Sequence, residues 1–199
     1  MNRRLAAIIL LPLLPLGALT ACSTRTTPST APTTSSAATS VADDSLVQAL
    51  GMEGKSGREI VEALDQVPSQ RPLPIMGSVR YDQIVLTDGT VEETVPIDGD
   101  EFYISLAPYE TSTHECYFHN VGTCRGELAD TDVHVIITTD DGEVLVDEDA
   151  TTYANGFVGF WIPKDVAGTI EVTRDGKKAV SPFSSDADGA TCVTTLPLT

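Results

Sequence analysis

Val133-His134-Val135-Ile136-Ile137-Thr138-Thr139-Asp140-Asp141-Gly142-Glu143-Val144-Leu145-Val146-Asp147 reads as two strands on either side of a tight turn. Asp-Gly between β-branched runs is a strong local hairpin signal, because both residues accept the positive φ that a short turn needs. The pattern recurs at Asp88-Gly89, between Val79 to Leu86 and Val91 to Ile97, and again at Asp175-Gly176. Phe157-Val158-Gly159-Phe160-Trp161-Ile162 is apolar on both faces, as expected of a strand in the middle of a β sandwich or under a helix.

Upstream the period changes. Leu46, Val47 and Leu50, then Ile60, Val61, Leu64 and Val67, recur at helical spacing, with Ser56 as N-cap and Glu59 completing a capping box. Arg71-Pro72-Leu73-Pro74 ends this helical part, since proline removes a backbone donor and pushes its predecessor toward extended geometry. No repeat of solenoid or propeller length is present. The fold class expected is α+β and β-dominant: short N-terminal helices followed by an antiparallel β sandwich-like domain. The expected division is a small α+β region over 43–97 and a β-rich metal-binding domain over 98–199.

Residues 1–21 read as a lipoprotein signal peptide. Arg3 and Arg4 precede an apolar run from Leu5 to Leu19 that is broken by Pro12 and Pro15, a pattern of export and a poor membrane span. The run ends in Leu19-Thr20-Ala21-Cys22, with the form of a bacterial lipobox, so Cys22 is the expected site of lipidation. At roughly 0.8 kcal/mol per buried methylene, two or three acyl chains hold a protein at a membrane. Residues 22–42 are almost wholly Ser, Thr, Pro and Ala, too polar to offset the entropy of ordering, and read as a flexible tether.

The 199 residues carry a formal charge of -17, and losing Arg3 and Arg4 makes the mature chain more acidic still. Nucleic acid is therefore excluded as a partner. Such acidity also serves simply to keep an exported domain soluble.

Of four cysteines, removal of Cys22 leaves Cys116, Cys124 and Cys192, an odd number in an oxidising compartment. Two of them fall in His114-Glu115-Cys116-Tyr117-Phe118-His119-Asn120-Val121-Gly122-Thr123-Cys124. In extended backbone His114 and Cys116 share a face, and the turn at Gly122 can bring His119 and Cys124 back toward it. Thiolate suits Cu(I) and zinc, imidazole suits Cu(II) and zinc, and calcium or magnesium would want oxygen. The plainer alternative for Cys124 and Cys192 is an ordinary disulfide tying the tail to the sheet. His134, alternating with Val133 and Val135, reads as a surface residue.

Other chemistries lack support. The five-residue interval between His114 and His119 puts them on different faces of a helix, which rules out a zinc-protease motif. Met1, Met52 and Met76 all precede the cluster, against a blue-copper site with an axial methionine. The acidic turns lack EF-hand spacing, and no nucleophile elbow or phosphate loop is present.

Ala107-Pro108-Tyr109, His114-x-Cys116-x-x-His119, Thr123-Cys124-x-Gly126-Glu127-Leu128 and the late Cys192 together resemble the CueP family of periplasmic copper-binding proteins. The resemblance implies an extracytoplasmic copper-binding protein of copper resistance, with copper as its metal and Cys116, Cys124 and Cys192 as metal and redox cysteines. His114 and His119 lie in the same motif as further candidate ligands. It also implies thiol-dependent reduction of Cu(II), with Cys124 and Cys192 as the redox pair in our reading, and supply of copper to an exported copper,zinc superoxide dismutase. The lipobox departs from the soluble members and places this chain at the cell membrane, facing the periplasm or cell surface. A homodimer stays open as the assembly. The competing expectation is a disulfide-stapled surface lipoprotein that binds another protein and no metal.

Overall fold

The computed structural model describes residues 45–199; the signal peptide and the tether, with Cys22, lie outside the described residues. Ser45 caps the single turn α1 (Leu46–Ala49). Ser56 and Glu59 close a capping box on α2 (Gly57–Asp65), whose apolar face is Ile60, Val61 and Leu64. Ten strands follow: β1 (Met76–Val79), β2 (Gln83–Thr87), β3 (Glu92–Pro96), β4 (Glu101–Tyr109), β5 (Asp132–Thr139), β6 (Val144–Thr151), β7 (Val158–Pro163), β8 (Ala167–Arg174), β9 (Lys177–Ser184) and β10 (Cys192–Pro197). The α+β, β-dominant architecture expected from the sequence is thus what forms. No helix among the described residues is long and apolar enough to cross a membrane.

Three sheets make three layers. An antiparallel sheet ordered β6-β5-β8-β9 packs Val133, Val135, Ile137, Ile170 and Val172 against one face of a sheet ordered β10-β4-β7. That second sheet contributes Phe102, Ile104, Leu106, Phe160 and Ile162 to the same cluster. Its opposite face carries Tyr103 and Trp161, which join α2 and the small sheet β1-β2-β3 in a second cluster. Tyr103 and Trp161 thus pack with side chains that precede position 97. Each fully buried aliphatic or aromatic side chain contributes about 1.5–3 kcal/mol to this packing.

β4 is the central strand, with seven consecutive buried residues from Phe102 to Pro108. The segment Phe157 to Ile162, read as a strand in the middle of a β sandwich or under a helix, carries β7, which runs along the edge of its sheet and pairs with β4. It is apolar on both faces because α2 covers it: Trp161 Nε1 donates to Glu62 at 2.9 Å. The sheet is also not wholly antiparallel, since β10 lies parallel to β4. The strand expected from Val79 to Leu86 is broken into the β1-β2 hairpin, with Val79 opposite Ile84. The other turns hold: Asp175 and Gly176 take φ of 50° and 78° between paired Arg174 and Lys177, the two positive values a two-residue hairpin requires.

Candidate metal centre

Residues 110–131, between β4 and β5, contain no named strand, and in a compact domain a connection this long is commonly functional. Its first turn is pinned by Glu127, whose carboxylate accepts from the backbone N–H of Glu110 at 2.6 Å and Thr111 at 2.9 Å, and from the Thr111 hydroxyl. These donors favour the charged form and hold Glu127 down at about 2. The middle of the connection is stitched to β1, with Val79 N–H donating to His119 O and Val121 N–H to Gly77 O. Thr191 completes the fastening: its hydroxyl accepts from His119 N–H and donates to Val79 O.

This stitching delivers the three thiols to one place. Cys124 Sγ lies 3.5 Å from Cys116 Sγ, and Cys124, Cys192, Ala107 and Phe157 form a small buried cluster with Cys116 packed against it. All three thiols are free. The donor atoms of His114, Cys116 and Cys124 lie within 4.8 Å of one another, and so do those of His119, Cys124 and Cys192. Every cysteine and histidine singled out in the motif is therefore in the cluster. His134 stands apart on β5, bonded to Asp149 at 2.9 Å and Asp147 at 3.1 Å, the surface role its alternation implied.

The electrostatics single out Cys124 as the thiolate. Hydrogen bonds from Cys116 and then Cys192 lower it, with help from His119 and against the effect of burial. The same contact pushes Cys116 up to about 12, and hydrogen bonds to Cys116 and Cys124 together with burial raise Cys192. The contacts thus favour the thiolate at the central sulfur, with Cys116 and Cys192 as its hydrogen-bond partners.

His119 is fully buried, and its Nε2 lies 2.9 Å from Asp65 Oδ1. Burial alone would depress the imidazole, but the charges of Asp65 and Cys124 overcome it and raise His119 to about 9. Asp65, also fully buried, is held below the usual carboxylate range: desolvation opposes ionisation, and His119, Tyr103 and Asn155 outweigh it. Tyr103 donates to its Oδ2 at 2.6 Å and Asn155 to its Oδ1 at 2.6 Å. Arg71 fixes the end of α2, donating to the carbonyls of Leu64 and Asp65 at 3.1 Å each and to Val121 O at 3.0 Å. A carboxylate that grips the far nitrogen of a ligating imidazole orients it and raises its basicity.

Asp65, Tyr103, Asn155, Arg71 and Thr191 were not singled out from the sequence. One signal was there: Asp65 continues the apolar face Ile60-Val61-Leu64, and a carboxylate on a buried face needs a partner.

The donor set fits a soft cation. His119 Nδ1 and His114 Nε2 are buried with no hydrogen-bond partner, an arrangement that costs about 1–3 kcal/mol per group unless something fills it. Both belong to thiol-containing triads, and three sulfurs with two imidazoles are the ligands Cu(I) prefers over hard cations.

The comparisons agree with this chemistry. Residues 59–197 match the family described as periplasmic copper-binding protein CueP. The crystal structure of S.CueP is 39% identical to this chain, covers 77% of it and 95% of its own length, and superposes with a TM-score of 0.75. No curated protein matches. With the cysteine motif, the fold and the family match in agreement over most of its length, the chain belongs to the CueP family of periplasmic copper-binding proteins.

Proposed function

We propose that this protein holds Cu(I) outside the cytoplasm on Cys116, Cys124 and Cys192 with His114 and His119, anchored to the membrane through a lipid on Cys22. The observation that carries the reading is the pair of buried, unpartnered imidazole nitrogens facing three free thiols. Binding displaces the protons on the thiols and on His119, so uptake of the ion releases acid.

The same thiols support reduction. Two thiols that join in a disulfide release two protons and two electrons, which convert two Cu(II) to two Cu(I). Cys124 and Cys192 are our pair for this step. Cys116 and the histidines then hold the product until an external thiol reductant reopens the disulfide. Transfer of the ion to an exported copper,zinc superoxide dismutase is the destination that family resemblance suggests.

Titration of fresh, reduced protein with Cu(I) against a competing chelator tests the reading. About one Cu(I) per chain, with consumption of free thiols, supports it. A locked disulfide with no copper bound would instead identify a stapled interaction module. Mass spectrometry of membrane-extracted protein tests the anchor: the acyl mass should sit on Cys22 and vanish in Cys22→Ser.

A further inference from the structure

The five donors fall into two sets that share one atom. His114, Cys116 and Cys124 form one, and His119, Cys124 and Cys192 the other. A single ring stands against both histidines: the centroid of buried Phe157 lies 6.0 Å from that of His114 and 4.6 Å from that of His119. Each imidazole keeps its own unpartnered nitrogen, one per set. Neither group of donor atoms within 4.8 Å of one another contains both histidines.

The sets also differ in access and rigidity. His114, Cys116, Thr113 and Glu115 line an open groove of about 500 Å³ with Tyr109 and Thr194, and Cys116 is half-buried. His119, Cys124 and Cys192 are buried, with the His119 ring gripped by Asp65 and its backbone N–H by Thr191. No comparable carboxylate contact holds His114 among the described residues. The outer set suits capture and the inner set retention.

We infer that Cu(I) occupies two successive positions, entering on His114–Cys116–Cys124 and moving to His119–Cys124–Cys192 without leaving Cys124. This rests on the Cu(I) reading above. Each step replaces one thiolate and one imidazole with another of the same kind, so the ion keeps its charge and coordination type and never passes through water. Cys124 is the pivot because its sulfur alone belongs to both sets. No electron is transferred in the movement.

Two measurements on the reduced full chain test it. In wild-type protein loaded with one equivalent of Cu(I), N-ethylmaleimide followed by peptide mass analysis should label Cys116 and spare Cys124 and Cys192. Equal protection of all three would overturn the two positions in favour of one shared centre. In the second, Cu(I) is offered as its bicinchoninate complex, and both the uptake rate and the final affinity are read. Cys116→Ser and His114→Ala should slow uptake by about tenfold or more and lower the final affinity by less than the inner-set variants do. Cys192→Ser and His119→Gln should lower affinity by about 10–100-fold while the initial capture rate holds. Parallel loss of rate and affinity in both groups would sink the inference while leaving the Cu(I) reading intact. Two Cu(I) bound per wild-type chain would also sink it, since both positions would then be filled together. A wild-type protein that binds no Cu(I) refutes both. The labelling arm needs no variant and so does not depend on their folding.

Discussion

His134 and His119 each face a carboxylate, yet only one sits in the candidate metal centre. His134 is 37% exposed and has both ring nitrogens engaged, by Asp147 and Asp149. His119 is fully buried, has one nitrogen on Asp65, and keeps the other without a partner beside two thiols. A carboxylate–imidazole contact is therefore not in itself a sign of function. Solvent screens the pair on β5, and nothing is left over to bind an ion. At His119 burial makes the pair strong and the spare nitrogen costly, which is the condition under which a ligand is needed.

The largest expected effect is at the shared sulfur. Cys124→Ser removes a donor from both triads, and Cu(I) affinity should fall by about 100-fold or more in chelator competition. Retention of near-normal affinity would show that neither triad is the holding site.

Asp65→Ala comes next. It strands the buried His119 cation and removes the acceptor for Tyr103 and Asn155, so stability should drop by about 3–5 kcal/mol in urea unfolding. The neighbouring test, Asp65→Asn, keeps the shape and deletes the charge. Its Cu(I) affinity should fall by about tenfold or more, and NMR of the imidazole should show the ring less basic. In the metal-free wild type the raised His119 contributes stability in full below 6.5 and loses it as pH rises through about 9. In Asp65→Asn that decline should move to lower pH.

Glu127→Gln probes the clamp on the connecting loop. Because Glu127 is lowered to about 2, its contribution is present above about 4.5 and is lost as pH falls through about 2. The variant should show a flatter acid-unfolding curve and a faster-exchanging backbone at Glu110 and Thr111 by amide exchange.

The smallest effect closes the comparison. His134→Gln should leave copper affinity unchanged and the melting temperature nearly so. The raised His134 contributes below 6.5 and loses its contribution as pH rises beyond its own titration, so any difference from wild type should fade in alkaline buffer. A clear loss of copper in this variant would mean that β5 carries a ligand after all.

Much of the architecture was legible because local chemistry enforces it. Ser56 and Glu59 cap α2 as their spacing requires, and the Asp-Gly pairs sit in turns between antiparallel strands. β4 was passed over, although Phe102 to Ala107 is a run of strand length that is apolar but for Ser105. Phe157 to Ile162 was left between the middle of a sandwich and a place under a helix because periodicity alone cannot distinguish the two. Trp161 shows the difference: its partner Glu62 is 99 residues away.

By itself the sequence determined the donor chemistry: three thiols and two imidazoles, soft enough for Cu(I), in a motif whose family the chain shares. Only the tertiary structure decided how they divide. Asp65 reaches His119 across 54 positions and Asn155 reaches Asp65 across 90, while Phe157, just before β7, stands against both histidines. Residue type sets what a side chain can bind, whereas burial and the nitrogen left unpaired depend on neighbours that chain order does not bring together.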